Sequence, residues 1–291
     1  MNGTILVSGA GGQVGQALGE ADCVHEVVAL GRARFDIADP ASIADVFAET
    51  DPALVINAAA YTRVDRAEHV SGRAFAVNRD GVANLALVCR EAGIPMLHLS
   101  TDYVFDGRKR GAYGEDDPVS PLGVYGKSKA EGEAVLRRIL ERHVVLRTSW
   151  VFSPVGANFV RTMLRLGRER DELAVVDDQH GCPTSAASIA GALLEIAGRH
   201  LRGDGISWGT YHFRNRPETT WHGFAREIFA RAPGYDNIAV RPISTREYPT
   251  PAPRPANSVL DCRKIETEFG IDPPDWRDEL DRVLAALSDS G

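Results

Sequence analysis

The chain has no run of the roughly eighteen apolar residues that a membrane-spanning helix needs. Its four cysteines, Cys23, Cys89, Cys182 and Cys262, stand far apart. With no Cys-x-x-Cys pair and no His/Cys cluster at zinc spacing, neither a disulfide framework nor a metal site is expected. A concentrated basic segment is also missing. Acidic residues outnumber basic ones, 40 to 33, for a formal net charge of −7, and the short basic run at Gly107 to Gly111 reads as a solvated loop. A nucleic-acid partner is therefore not expected. The opening MNGTILVSGAGG has neither a basic leader nor a long apolar core, so the thiols are read as reduced, in the cytoplasm. No repeat or low-complexity segment stands out. What is there is globular: 44% hydrophobic residues over 291, enough for a large core and two closely joined lobes.

The first half alternates strand and helix. TILVS is a buried-type strand that runs into glycines and then a helix; His25 to Leu30 is a second strand. Asp39-Pro40 opens a helix that ends near Thr50, as an N-cap followed by proline at the first helical position. ALVINAAA is a strand entering a small-residue turn, Arg73 to Ala92 is helical, and MLHLST and HVVLRT are further strands. Such alternation predicts a Rossmann-type doubly wound parallel sheet with right-handed crossovers. After Trp150 the pattern loosens into shorter elements and the proline-rich RPISTREYPTPAPRPANSVLD, too irregular to read as one element. The expected division is a dinucleotide-binding domain over 1–153, rejoined by about 185–214. A smaller substrate lobe takes 154–184 and 215–291.

Gly9, Gly12 and Gly15 sit at the first strand-to-helix junction in the spacing Gly-x-x-Gly-x-x-Gly. A turn of this kind lets backbone approach a pyrophosphate, which then rests on the positive end of the following helix. A carboxylate at the end of the second strand would bond a 2′-hydroxyl, but here the chain reads Gly31-Arg32-Ala33-Arg34. Arginine suits a 2′-phosphate, so NADPH is expected ahead of NADH. The other reading leaves both arginines solvated, with Asp36 serving either cofactor. Downstream, Ser100, Thr101 and Asp102 end a strand at the ligand edge of the sheet. Tyr125, Ser128, Gly132, Val135 and Ile139 recur at helical spacing, which puts Tyr125 and Lys129 on one face. A phenol of pKa about 10 exchanges protons poorly at neutral pH, and a neighbouring ammonium pulls that value down.

The Gly-x-x-Gly-x-x-Gly turn, the Asn57-Ala58-Ala59-Ala60 turn, Thr101 and Tyr-x-x-x-Lys together resemble the extended short-chain dehydrogenase/reductases. STDYVFDG, SPLGVYGKSKAEGE, LRTSWVF, NFVRTMLRL, ELAVVDDQHGCPTSA and YPTPAPRPANSVLD run in order and are similar to the dTDP-4-dehydrorhamnose reductase branch over nearly the whole chain. That resemblance implies NAD(P)H-dependent reduction of the C4 carbonyl of dTDP-4-dehydro-L-rhamnose to dTDP-L-rhamnose. It implies Tyr125 as general acid, Lys129 tuning it and holding the nicotinamide ribose, and Thr101 orienting the carbonyl. It further implies dinucleotide contacts at Gly9, Gly12, Gln13, Val14, Gly15, Arg32, Asp36, Ile37, Asn57, Ala58, Ala60, Tyr61 and Thr62. Substrate contacts are implied at Thr101, Asp102, Tyr103, Trp150, Asn158, Phe159, Arg254 and Asn257. Arg254 is the candidate for the diphosphate, which a guanidinium meets in bidentate fashion; the other reading of it is a loop salt bridge.

Two departures qualify the carry-over. Members often have an acid at the position of Gly31, and some have a metal-linked dimer built on an acid in the first helix, where this chain has Gln16 and Ala17. No metal is carried over, and a homodimer stays open. Two rivals also remain: a nucleotide-sugar 4-ketoreductase of opposite stereochemistry, and a non-catalytic dinucleotide-binding subunit resembling that of methionine adenosyltransferase.

Overall fold

The computed structural model describes residues 3–289; Met1, Asn2, Ser290 and Gly291, which the expected domains include, lie outside the described residues. In chain order the first half runs β1 (Ile5–Ser8), α1 (Gln13–Glu20), β2 (Val27–Leu30), α2 (Pro40–Thr50), β3 (Leu54–Asn57), α3 (Val64–Ala67), α4 (Ser71–Phe75), α5 (Gly81–Ala92), β4 (Met96–Thr101), α6 (Val124–Ile139) and β5 (His143–Thr148). The remainder is β6 (Val151–Phe152), α7 (Phe159–Gly167), β7 (Glu172–Val176), β8 (His180–Gly181), β9 (Thr184–Ser185), α8 (Ala186–Arg202), β10 (Gly209–His212), β11 (Thr219–Thr220), α9 (Trp221–Arg231), β12 (Ala239–Ile243), α10 (Arg263–Phe269) and α11 (Trp276–Asp289).

Six strands form one parallel sheet in the order β10-β5-β4-β3-β1-β2. The strands are apolar on both faces, because helices cover both. One face packs Ile5, Val7, Ile56 and Leu146 under α1 and α8; the other packs Leu6, Val55 and Val145 under α2, α5 and α6. The order reverses between β1 and β3, and ligands bind in open α/β sheets at such a switch point, outside the carboxyl ends of the strands. A separate apolar cluster unites Phe152, Val160, Leu173, Phe224, Ile228, Trp276 and Leu280 from the C-terminal elements.

Three details differ from the sequence pattern. The helix expected from Arg73 begins at Ser71, and between α4 and α5 it passes through a π-helical stretch, Ala76–Asp80. There the Asn78 side chain accepts from Tyr61 N–H at 2.8 Å and donates to the Tyr61 carbonyl at 3.1 Å, gripping the loop after β3. The proline-rich segment includes a strand after all: β12 pairs in parallel with β7 through Pro242, tolerated because this is a two-stranded edge. The short helix α10, Arg263–Phe269, has no strong pattern in the sequence, since only Ile265 and Phe269 are buried.

Candidate active site

The glycine turn is shaped by close backbone approach. Gly9 has φ +82°, and a Cβ there would sit 2.6 Å from the Ala59 nitrogen. At Gly15 a Cβ would meet the Gly9 carbonyl at 2.1 Å. Gly12 is the N-cap of α1 and donates to the Gly9 carbonyl at 2.9 Å. No acidic residue stands in the first turn of α1, so its free N–H groups and positive end are available to an anion. A pyrophosphate-bearing dinucleotide fits this cradle. Val14 buries its side chain in the core, so only its backbone can face such a group. Gln13 turns to the C-terminal elements: its Oε1 accepts from Ser153 Oγ and from Asn158 Nδ2, both at 2.9 Å.

At the end of β2, Gly31 has open space where a Cβ would stand. Arg32, 64% exposed, reaches Asp36 at 3.0 Å, while Arg34 turns away to Glu49. Asp36 also accepts from Ala38 N–H at 3.1 Å. Ile37 is buried in the apolar core, and a Cβ on Gly81 would lie 2.9 Å from its Cγ1. Past β3, Ala58 and Ala60 are half-buried, Tyr61 is held by Asn78, and Thr62 is exposed. Asn57 differs from the expectation of a cofactor contact. It is fully buried, and its amide is consumed by Ser8, Ala59 and His98.

Thr101 and Tyr125 come together on the carboxyl edge of β4 and the first turn of α6. The start of α6 is set by Gly123 as N-cap, two residues beyond Pro121, and the Glu68 carboxylate accepts from Val124 N–H at 2.8 Å. Two glycines seat the helix: a Cβ at Gly126 would lie 2.1 Å from the Tyr103 carbonyl, and one at Gly132 would lie 2.0 Å from the Asn78 carbonyl. Between them Lys129 is 2% exposed and donates to the Leu99 carbonyl at 2.7 Å. Tyr103 meets Tyr125 edge-on, ring centroids 5.6 Å apart. The Thr101 hydroxyl donates to Asp102 Oδ1 at 3.0 Å and accepts from Tyr103 N–H at 3.2 Å.

The electrostatics correct one expectation. The Tyr125 phenol is pushed above its ordinary value by burial; the Thr101 hydroxyl works against that shift, and the Asp102 charge adds to it. Lys129 is not what dominates it. A phenol raised in this way keeps its proton at neutral pH but gives it up less readily than a free one. Lys129 is itself pulled down to about 8 by burial, against the attraction of Glu133. Asp102, 3% exposed, is pushed up to about 6 by burial, with Ser258 and Thr101 opposing. Among the described residues its Oδ2 has no hydrogen-bond partner of good geometry.

The residues expected on the substrate side scatter more widely. Trp150 adopts φ +50° and stacks on Trp221, ring centroids 3.6 Å apart, with its indole against Gly181, where any Cβ would collide. Asn158 caps α7 by accepting from Arg161 N–H, and Phe159 packs on Trp221 and Phe224. Arg254, 19% exposed, pairs with Asp65 at 2.7 Å, and Ala252 N–H donates to the same carboxylate at 3.2 Å. Burial raises the Asp65 carboxyl, but the Arg254 guanidinium and Ala252 N–H more than offset that and hold it below its usual range. Asn257 spends its amide on the Lys109 and Gly111 carbonyls and on Val259 N–H, which makes it a loop latch instead of a free ligand. Pattern reading overlooked Asp65, Glu68, Asn78 and His98. Only the polar character of Asn78 and His98 within otherwise apolar helix and strand stretches hinted at a role.

Comparison with known proteins agrees with this architecture. A dTDP-4-dehydrorhamnose reductase of Sinorhizobium fredii is 45% identical over 290 residues, covering 97% of each chain. The crystal structure of a dTDP-4-dehydrorhamnose reductase from Clostridium acetobutylicum superposes with a TM-score of 0.91 at 35% identity, covering 98% of this chain and 99% of that one. A Bacillus anthracis dTDP-4-dehydrorhamnose reductase solved in complex with NADP gives 0.90 at 32% identity, covering 98% and 100%. The model of the family described as RmlD substrate binding domain matches residues 3–288, and the chain belongs to that family.

Proposed function

We propose that the protein reduces the C4 carbonyl of dTDP-4-dehydro-L-rhamnose to give dTDP-L-rhamnose, with NADPH as the preferred cofactor. The observation that carries this reading is the convergence of Thr101, Tyr125 and Lys129 beside a glycine cradle at the switch point of the sheet. The full-length relatedness to reductases of that name, one of them solved with NADP, supports it. When bound, the reduced nicotinamide supplies the hydride to the carbonyl carbon. Tyr125, kept protonated by burial, gives its proton to the carbonyl oxygen. Thr101 orients that oxygen through its hydroxyl. Lys129 holds the ribose hydroxyls and offsets the charge left on the phenolate. Gly9, Gly12, Gly15 and the first turn of α1 would hold the pyrophosphate, and Arg32 would exchange Asp36 for the 2′-phosphate.

The substrate lies, in this reading, between the β4 edge and a lobe formed by 154–184 and 215–291. Arg254 takes its diphosphate, with Asp65 holding the guanidinium in readiness. The test is direct. Purified protein is given dTDP-4-dehydro-L-rhamnose with NADPH or NADH, oxidation of the cofactor is followed by absorbance, and the sugar is identified by NMR. Formation of dTDP-L-rhamnose supports the reading. A product epimeric at C4 overturns the stereochemical part, and absence of turnover overturns the whole.

A further inference from the structure

Behind the catalytic lysine runs a buried polar chain that no step of the proposed reaction uses. Ser8 Oγ, at the end of β1, donates to Asn57 Oδ1 at 2.7 Å, and the Ala59 N–H donates to the same oxygen at 3.1 Å. A backbone N–H can only donate, so the Asn57 amide cannot be turned over. Its Nδ2 must then face His98 Nδ1, 3.1 Å away, as a donor. His98 Nδ1 accepts, and the neutral ring carries its one proton on Nε2. That nitrogen lies 3.3 Å from Lys129 Nζ. Asn57 and His98 are fully buried and Lys129 nearly so; no wider solvent is at hand to compensate a mismatch.

An ammonium facing an N–H finds a second donor where it needs an acceptor, whereas an amine offers that N–H its lone pair. We propose that His98 is a positioning residue for Lys129: by presenting Nε2–H to Nζ, it favours the uncharged amine and sets the pH at which the site loses its lysine charge. The other groups around the pair do not undo this. On α6, Glu133 attracts Lys129, but its carboxylate is already held by Arg147 of β5 at 2.7 Å, by Arg137 at 2.8 Å and by Ser100. Arg137 adds positive charge around His98, and His143, its pKa lowered by burial, stands neutral beside it near neutral pH. Tyr125, one turn before Lys129, is kept neutral. Burial already pulls Lys129 down to about 8 and holds His98 well below its ordinary value, and an N–H facing Nζ acts on Lys129 in the same direction as that burial.

The consequence for turnover rests on the reductase reading, since the ammonium is what that reading assigns to Lys129. Activity then falls as pH rises through the Lys129 value, and His98 brings that fall closer to neutrality. The test on the protein itself does not depend on turnover. The chain has four lysines, Lys109, Lys127, Lys129 and Lys264, so the Lys129 resonance can be assigned by substitution and titrated by NMR with nitrogen-labelled lysine. His98→Phe keeps the ring shape and removes both nitrogens. It is expected to raise the Lys129 pKa by about one unit or more, and the alkaline limb of the activity profile with it. Nitrogen NMR of wild-type histidines should find His98 in the Nε2–H form and neutral through the ordinary imidazole range; this decides the matter even if His98→Phe folds poorly. An Nδ1–H tautomer, or a Lys129 that titrates identically with and without His98, overturns the inference. A wild type that shows the predicted titrations but turns over no dTDP-4-dehydro-L-rhamnose supports the inference and overturns the reductase reading instead.

Discussion

On the sheet side of the candidate site, side chains are aimed by regular structure: Thr101 by the last residue of β4, Tyr125 and Lys129 by one turn of α6, the glycines by the junction of β1 and α1. On the opposite side, Arg254, Asn257 and Trp150 are aimed by loops, through an ion pair to Asp65, an amide latch on the 109–111 backbone and a stack on Trp221. Regular structure fixes geometry to the spacing of the sequence. Loop structure fixes it through partners far away in the chain. The first side therefore has little freedom to rearrange, whereas the proposed role of Arg254 on the second side asks it to exchange an internal partner for a ligand. Arg254 would trade one carboxylate for another anion, a charge-assisted bond of the same kind.

The largest expected effect tests the rigid side. Tyr125→Phe keeps the ring against Tyr103 and removes the proton. Turnover should fall by roughly 10²- to 10⁴-fold, with melting temperature and cofactor binding little changed. Single-turnover rates, which isolate chemistry from product release, are the measurement; a variant with half the wild-type rate would remove Tyr125 from the mechanism. Gly132→Ala belongs to the same side but acts on seating. Its methyl would meet the Asn78 carbonyl, so helix α6 must shift, at a cost of about 1–3 kcal/mol. Denaturant unfolding should show that loss, and turnover should fall with it because Lys129 and Tyr125 ride on the same helix.

The adaptable side should respond differently. Arg254→Ala removes a charged hydrogen bond of about 1.5–3 kcal/mol, so KM for the sugar nucleotide should rise about ten- to a hundredfold while KM for the cofactor stays put. Asp65→Asn sharpens the comparison. If Asp65 merely holds Arg254 in readiness, KM should change less than about tenfold; if Asp65 competes with the diphosphate, KM should fall below wild type. Equal rises for both substrates in Arg254→Ala would show a general collapse of the loop and not a diphosphate contact.

The same contrast explains what the sequence made legible. The parallel sheet followed from strand–helix alternation, and the Asp39-Pro40 start of α2 from local capping chemistry, since Asp39 accepts from Ala41 N–H two residues on. Partners that lie far apart were out of reach. Arg254 and Asp65 are 189 residues apart, and Gln13 and Asn158 are 145 apart. Asn57 was expected beside the cofactor because its turn marks the family; its amide faces inward instead, because Ser8 and His98 on adjacent strands need a partner there. The expectation that Lys129 lowers the Tyr125 pKa failed for a related reason. Spacing places two groups on one helical face but does not report burial, which acts most strongly on the Tyr125 phenol.

The last expected effect concerns the cofactor's 2′-position, at the exposed rim of the rigid side. Arg32 is 64% exposed and its Asp36 partner 27%, and an ion pair of that kind is worth about 0–1 kcal/mol. Breaking it costs little, so Arg32 is free to turn to a phosphate. Gly31 contributes by omission: an Asp there would fit, since nothing lies within 4 Å of its Cβ, and would repel a phosphate. NADPH should be preferred over NADH in kcat/KM by about ten- to a hundredfold, from one charged interaction. Added salt should shrink the preference, because the pair is open to solvent. Gly31→Asp with Arg32→Ala should reverse it, replacing attraction by repulsion at one point while Tyr125 and Lys129 stay as they are. Equal use of both cofactors by the wild type, with Arg32→Ala changing neither constant, would reduce Arg32 to a solvated partner of Asp36.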